Sequence, residues 1–239
     1  MVSQETKDKL IRMIDTKDPE MLLQALEINL ALEALTQKEM GDLIIPLLIN
    51  GRVPRLSMWN PRKGGIGWSV LEYLPNHPLW GNVESFIFNA WSAGDKMTHI
   101  PPEIGNLTNL KRLVFRGHNI KTLPPSMSKL KKLEKLIIDG NQLNGIPSWI
   151  GGLTDLVELT VDDNNLSSLP KEIGNLNKLQ ELSISGNNIK TLPKEMGRLT
   201  NLSSIFVGKG SPITPKDFPP PLNKMNWKGV VDGLYVIKS

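Results

Sequence analysis

A frame of 23 residues recurs five times in the middle of this chain, and it constrains the fold more than any other feature. The blocks open at Ile100, Leu123, Ile146, Leu169 and Leu192, each followed by proline, without an insertion between them. Five blocks of 23 residues make 115 of the 239 residues. A fixed period in the twenties predicts a solenoid, in which one structural unit is stacked repeatedly along the chain.

Within each block, apolar residues hold fixed positions while the residues between them change. In the fourth block, Leu179, Leu182 and Ile184 are followed by Asn187 and Ile189. Leu182 and Ile184 are two residues apart, so on a short strand both side chains point to the same side, and the residue between them points to the other. One turn cannot bury its apolar side alone, so neighbouring turns must stack around a continuous core.

This frame resembles the leucine-rich repeat, in the short type found in intracellular eukaryotic and bacterial proteins. The resemblance implies an α/β fold, a horseshoe-shaped solenoid with a parallel β-sheet on its concave face. Asn141, Asn164 and Asn187 recur where the chain leaves each strand, and an amide offers a donor and an acceptor to backbone groups there. We interpret them as a structural ladder, which should fail at His118 and Gly210, the residues at the same frame position in the flanking blocks.

Residues 1–51 differ from the repeats and are predicted to form short amphipathic helices. One should span Gln4 to Ile14, and others should open at Asp18 and at Thr36, where helix-capping residues precede apolar runs. Two interpretations remain open, since these helices could cover the exposed edge of the solenoid or form a separate adaptor unit.

Residues 52–99 are predicted to form an N-terminal cap with a hairpin and a degenerate repeat. The glycines of residues 62–67 follow an Arg-Lys pair, but they complete neither a Walker loop nor a dinucleotide fingerprint, so a turn between two strands is preferred to a phosphate site. Phe86 and Phe88 take the strand frame, and four residues are inserted after them. Nearby tryptophans are interpreted as a plug for the open core, with a ligand cage as the alternative. They are Trp59, Trp68, Trp80 and Trp91.

The repeats are assigned to residues 100–214, and residues 215–239 are predicted to be a C-terminal cap. Prolines interrupt the frame there, and the segment 229–238 is apolar and strand-like. The run Phe218–Leu222 contains three consecutive prolines. It is interpreted as a rigid spacer, with docking into an SH3-like groove as the alternative.

Composition excludes several classes of function. The chain has no cysteine, which excludes disulfide-capped ends, thiolate metal sites and a cysteine nucleophile, including the one used by bacterial ubiquitin-ligase effectors with similar repeats. The chain opens without a secretory leader and has no membrane-length apolar run, so a cytoplasmic location is expected, with no membrane partner. Its pI of about 9.2 reflects 28 basic and 24 acidic residues, and stacking aromatics are scarce. No nucleic-acid partner is expected.

The residues that alternate with the core leucines are predicted to project from the concave sheet and to bind a protein partner. Basic side chains lie toward the N-terminal end and acidic ones in the middle, a pattern that suits a partner of complementary charge. Three aliphatic residues in one column favour contact over a merely solvated face. The predicted partner-binding residues are Ile87, Lys111, Arg112, Val114, Arg116, Lys135, Ile137, Asp139, Glu158, Thr160, Asp162, Glu181 and Phe206.

The sequence therefore predicts a non-catalytic protein–protein interaction module, a monomer or weak oligomer without a cofactor or metal. Its three histidines have no suitably spaced carboxylate, serine or second histidine for a triad or metal site. Two alternatives remain: an exported bacterial effector that binds a host protein, and an enzyme with its activity in residues 1–99. Trp149 stands where other blocks carry Glu or Ser, and it could anchor a contact on the outer surface or pack against a neighbouring loop.

Overall fold

A computed structural model describes residues 3–16, 21, 24–25, 83–89, 96–208, 211–224, 226–231 and 234–237 of the chain. The chain divides into two compact units, Met1–Val83 with Ser92–Asp95 and Glu84–Trp91 with Lys96–Ser239. Other predictions lie outside the described residues: the helices opening at Asp18 and Thr36, the hairpin of residues 56–70, and the tryptophan plug.

In the first unit, helix α1 spans Gln4–Asp15, which confirms the helix predicted from Gln4. The Ser3 hydroxyl accepts the backbone N–H of Thr6 at 3.3 Å and so caps the helix. Leu10 and Ile14 lie four residues apart on one face of the helix, and both are buried. The helix is therefore amphipathic, as its sequence predicts.

In the described part of the second unit, eight strands form one sheet, ordered β1-β2-β3-β4-β5-β6-β8-β7. The strands are β1 (Ser85–Asn89), β2 (Arg112–Arg116), β3 (Lys135–Ile137), β4 (Glu158–Thr160), β5 (Glu181–Ser183), β6 (Ser204–Phe206), β7 (Trp227–Val231) and β8 (Leu234–Ile237). The first six are parallel. Phe86 pairs with Leu113, and Leu113 pairs with Leu136, so the register keeps the predicted frame on both sides of the inserted residues.

Each repeat returns from one strand to the next through a short 3₁₀ helix that begins after the block's proline. These helices are Pro102–Asn106, Pro125–Lys129, Ser148–Gly152, Lys171–Asn175 and Lys194–Arg198. They stack closely because glycine stands at the contact. A Cβ on Gly105 would lie 2.5 Å from the Ser126 carbonyl oxygen, and a Cβ on Gly151 would lie 2.5 Å from the Glu172 carbonyl oxygen. Any side chain there would force the two repeats apart.

The core of the second unit lies between the sheet and the stacked 3₁₀ helices. Leu136 and Leu159, on neighbouring strands, are fully buried, as are Leu133 and Leu156 that precede them. The alternation predicted from the frame is therefore confirmed on the core side. A parallel sheet that is repeated every 23 residues and closed by 3₁₀ returns is the predicted leucine-rich-repeat solenoid.

The predicted asparagine ladder is present. Asn141, Asn164 and Asn187 each accept one backbone N–H and donate to at least two backbone carbonyls. Asn141 and Asn164 are 7% and 5% exposed. Buried backbone groups at the strand exits are thereby satisfied.

The N-terminal end of the ladder differs from the prediction that it fails at His118. The ring Nδ1 of His118 accepts the N–H of Met97 at 3.3 Å, the same 21-residue relation by which Asn141 accepts the N–H of Ile120. His118 is only 3% exposed. An unprotonated imidazole nitrogen can replace an amide oxygen as acceptor, so the ladder continues with a different residue.

The C-terminal end of the solenoid is covered by its proline-rich segment and a hairpin. Phe218 and Leu222 are buried, and Trp227 packs edge-on against Phe218 while its Nε1–H donates to the Leu222 carbonyl at 2.7 Å. Strand β8 pairs antiparallel with β6. Because its apolar side chains pack inside this chain, the run Phe218–Leu222 is neither the predicted spacer nor a free polyproline ligand.

Candidate functional site

The outward-pointing residues of β1 to β6 form a continuous surface that we call the sheet face. Parallel pairing aligns them in three columns, about 4.8 Å apart from strand to strand. The first column is Ser85, Arg112, Lys135, Glu158, Glu181 and Ser204; the second is Ile87, Val114, Ile137, Thr160, Ser183 and Phe206. The third continues the strand ends as Asn89, Arg116, Asp139, Asp162, Ser185 and Gly208. The structure thus brings the predicted residues together on one surface, with Lys111 beside it.

The prediction of a patch of exposed aliphatic side chains is wrong for two of its three residues. Val114 is 1% exposed and Ile137 is 3% exposed, whereas Ile87 is half-buried. These short side chains lie side by side in the middle column, and longer charged side chains flank them at both ends of the strands. Arg116 and Lys135 lie in the columns on either side of it and pair with acids of their own columns on the next strand.

The basic side chains in the N-terminal half of the sheet face pair with acids of the neighbouring strand. Arg116 Nε lies 3.1 Å from Asp139 Oδ2, and Lys135 Nζ lies 2.7 Å from Glu158 Oε2. The predicted separation of positive and negative charge is therefore largely cancelled within the chain. Arg112 is the exception, since it is exposed and forms no ion pair with a described residue.

Lys111, beside the sheet face, is also paired with an acidic side chain. Its Nζ donates to Glu84 Oε1 at 2.9 Å. This hydrogen bond, together with the negative charge of Glu84, raises the pKa of Lys111 above its ordinary value. Both side chains are exposed to solvent, so the pair contributes little to stability.

The C-terminal half of the sheet face is built around a half-buried carboxylate, Asp162. Its oxygens accept the Ser183 hydroxyl at 2.7 Å and the Ser185 N–H at 2.7 Å. Burial raises the pKa of Asp162, although these two hydrogen bonds oppose the shift, and the nearby Asp139 and Asp163 raise it further. No described cation pairs with Asp162, so its charge is held by hydrogen bonds alone.

Three further residues belong to this half: an exposed acid, an aromatic residue and a threonine with a buried hydroxyl. Glu181 is exposed and forms no ion pair with a described residue, and Phe206 is half-buried at the end of the middle column. The Thr160 hydroxyl oxygen is buried and has no hydrogen-bond partner. In this half the middle column therefore contains a buried polar group without a hydrogen-bond partner, unlike the aliphatic residues Val114 and Ile137 of the N-terminal half.

Sequence reasoning missed a second ladder that runs along the third column. Asp139 Oδ1 accepts the N–H of Asp162 at 3.2 Å, and Asp162 Oδ1 accepts the N–H of Ser185. Each carboxylate thus caps the backbone of the next repeat at the equivalent position. The recurrence of Asp-Asp-Ser at a 23-residue spacing was the available signal. Asp139 and Asp162 consequently stabilise the solenoid and also face the surface.

Other candidate sites gain no support. Within the described ranges, no group of three His, Cys, Asp or Glu side chains could hold a metal ion, and no helix is long and apolar enough to cross a membrane. Trp149 lies in the 3₁₀ helix of the third repeat and is half-buried. In the segment Lys129–Lys135, which contains four lysines, Lys131 Nζ donates to the Gly152 carbonyl and Lys132 Nζ to Asn109 Oδ1.

Family models match the repeat region. One, described as a leucine-rich repeat region, covers residues 92–165, and another, described as leucine rich repeat, covers residues 147–209. The repeat region of this chain belongs to the leucine-rich repeat family. This fold is typically a non-catalytic protein-interaction fold. No curated protein sequence shows significant similarity to the chain.

Similar solved structures include one bacterial protein and two plant receptors. A leucine-rich repeat protein of Leptospira interrogans is 22% identical over 61% of this chain and 53% of its own, with a TM-score of 0.33. The ectodomain of the Arabidopsis thaliana membrane receptor kinase GASSHO1/SCHENGEN3, in complex with CASPARIAN STRIP INTEGRITY FACTOR 2, is 26% identical over 59% of this chain and 17% of its own, with a TM-score of 0.49.

The plant peptide hormone receptor RGFR1, in complex with RGF2, is 35% identical over 54% of this chain and 20% of its own, with a TM-score of 0.46. The chain thus spans about half of the Leptospira protein and a fifth or less of each receptor. All three TM-scores are below 0.5, so the fold assignment depends on the strand register and the family models.

Proposed function

We propose that this chain is a non-catalytic module that binds a protein partner on the sheet face. One observation carries the proposal: the core side of the six parallel strands is apolar at every step, whereas the opposite side changes in charge and polarity from strand to strand. Stability requires the first pattern but not the second. A surface that is continuous, rigid and different at every step is suited to recognising one partner.

The unpaired groups on the sheet face indicate where recognition is centred. Glu181 and Asp162 carry negative charge without a cationic partner in the described chain, and Phe206 adds a half-buried ring beside them. A partner that presents basic and apolar groups would complement this half. Arg112, at the other end, would meet an acidic group. A cytoplasmic location is part of the same proposal.

Charge reversal on the sheet face tests the proposal. The variants Arg112→Glu and Glu181→Lys change exposed residues that pair with nothing described, so the fold should persist. Lys171→Glu, in the 3₁₀ helix of the fourth repeat, is a matched control, because Lys171 is equally exposed on the other side of the solenoid. Each protein is immobilised at equal density, and captured proteins from native lysate are compared by quantitative mass spectrometry.

We expect at least one captured protein to be lost tenfold or more with Arg112→Glu and Glu181→Lys and to be retained with Lys171→Glu. Circular dichroism first establishes that all four proteins are folded. Equal recovery by all of them would refute binding on the sheet face.

A further inference from the structure

The asparagine ladder has a fixed geometry. In each rung, the side-chain oxygen accepts the N–H of the residue 21 positions earlier, and the side-chain nitrogen donates to the carbonyl 26 positions earlier. The two distances are 3.2 and 3.0 Å for Asn141, 3.0 and 2.8 Å for Asn164, and 3.0 and 2.9 Å for Asn187. Every carboxamide therefore fits between one defined donor and one defined acceptor.

The series stops after Asn187, and it leaves one donor without a described partner and one acceptor with a single one. By the same spacing, the next rung would accept the N–H of Ile189 and donate to the carbonyl of Ile184. No described residue accepts the Ile189 N–H. The Ile184 carbonyl accepts only Asn187 Nδ2, at 3.0 Å, whereas the equivalent Val161 carbonyl accepts both Asn164 and Asn187.

A cavity lies where the missing rung would be. Its volume is about 170 Å³, and its lining includes Ile184, Asn187, Ile189, Val207, Ser211 and Ile213. Roughly 15 Å³ suffices for one water molecule, so this space accommodates a group much larger than water. The side chains of Ile189 and Ile213 are 5% and 2% exposed, and Asn187 and Ser211 add polar groups to the lining, so the cavity offers both apolar contact and hydrogen bonding.

We propose that this cavity binds a primary carboxamide, whose oxygen accepts the Ile189 N–H and whose NH₂ group donates to the Ile184 carbonyl. A ligand that accepts from the Ile189 N–H and donates a second hydrogen bond to the Ile184 carbonyl restores both contacts of a rung at once. A carboxylate offers acceptors only, and a hydroxyl cannot span both positions. The carboxamide is either the side chain of an asparagine in a protein partner or a free small amide.

The test follows the Ile189 amide signal of the full-length, ¹⁵N-labelled chain by NMR. The Leu166 amide is the internal control, because its N–H is already accepted by Asn187 Oδ1 at 3.0 Å. Acetamide should shift the Ile189 signal with saturation and leave Leu166 unchanged. N,N-dimethylacetamide keeps the oxygen but lacks the N–H donors, so its affinity should be at least tenfold lower. N-acetyl-asparagine N-methylamide separates the sources: binding tighter than acetamide indicates a partner side chain, and weaker binding indicates a free amide.

The variant Gly210→Asn sharpens the test. Gly210 lies 23 residues after Asn187, in the register of the missing rung, so this variant offers the chain its own carboxamide. A folded Gly210→Asn protein should bind acetamide at least tenfold more weakly than the unaltered chain. The proposal is overturned if Ile189 does not respond to acetamide, if both amides bind equally, or if folded Gly210→Asn binds acetamide as well as the unaltered chain. Should the variant not fold, the comparison of probes on the unaltered chain decides.

Discussion

The two halves of the sheet face differ in the polarity of their middle column and in how their charged side chains are paired. From β1 to β3 the middle column is aliphatic and Val114 and Ile137 are buried, while ion pairs in the two flanking columns join neighbouring strands. From β4 to β6 the same column is Thr160, Ser183 and Phe206, and the nearby Asp162 and Glu181 have no described cationic partner. In the first half only Arg112 has no ion pair with a described residue, whereas the second half leaves two acids and a buried hydroxyl unmatched among the described residues.

This difference shows that pointing outward is not the same as being exposed. Val114 and Ile137 point away from the core, yet both are buried. We therefore expect substitutions of buried residues on the sheet face to change folding stability, and substitutions of its exposed, unpaired residues to change recognition. The following experiments test that division.

The largest effect is expected for Val114→Asp. A carboxylate at a site that is 1% exposed would be buried without a partner, and the free energy of unfolding should fall by at least about 3 kcal/mol. Arg112→Asp, two residues earlier on the same strand but exposed, is the control and should cost less than about 1 kcal/mol. Urea denaturation followed by circular dichroism measures both. Equal losses would show that the middle column is solvated.

A reciprocal exchange within the middle column should give effects of opposite sign. Thr160→Val removes a buried hydroxyl that has no partner and should raise the free energy of unfolding by about 1 kcal/mol. Val114→Thr introduces such a hydroxyl and should lower it by about 1–2 kcal/mol. The same denaturation experiment applies. A loss of stability in Thr160→Val would indicate that its hydroxyl is satisfied in solution.

A smaller, pH-dependent effect is expected for Asp162→Asn. The folded-state pKa of Asp162 lies above its ordinary value of 3.8, so its contribution to stability is present below pH 3.8 and is lost as the pH rises through the folded-state pKa. Asparagine does not ionise. The stability of the variant relative to the unaltered chain should therefore increase from pH 3 to pH 7. A difference that stays constant or decreases would contradict the assigned direction.

The smallest effect is expected from the ion pair of Arg116 and Asp139. A double-mutant cycle with Arg116→Gln and Asp139→Asn should give a coupling energy of about 0.2–1 kcal/mol, because Arg116 is half exposed. The coupling should shrink at 1 M salt, since added salt screens exposed charges. A coupling that does not change with salt would mean that the two residues interact through packing instead.

Much of the fold could be predicted from the sequence because the repeat determines it directly. The period set the strand register, including the 27-residue offset between Phe86 and Leu113, and it located the asparagine rungs. Which outward residues are buried could not be predicted. The burial of Ile137 depends on how closely other side chains pack around it in three dimensions, and the alternation along a strand carries no information on that packing.

The ends of the solenoid were also harder to predict than its middle. His118 breaks the residue pattern but preserves the acceptor, because the geometry requires an unprotonated nitrogen or an oxygen rather than an asparagine. The proline-rich run Phe218–Leu222 has a composition typical of linkers. Its role as a cap depends on long-range packing against Trp227, which lies outside any repeat.

The central claim is that the sheet face, rather than the 3₁₀ side, meets the partner. A photo-crosslinking amino acid placed at Phe206 on the sheet face, or at Lys171 on the 3₁₀ side, reports contacts within a few ångströms in cells that produce the protein. We predict a discrete higher-mass adduct from position 206 and none from position 171. Adducts from position 171 with none from position 206 would contradict the account.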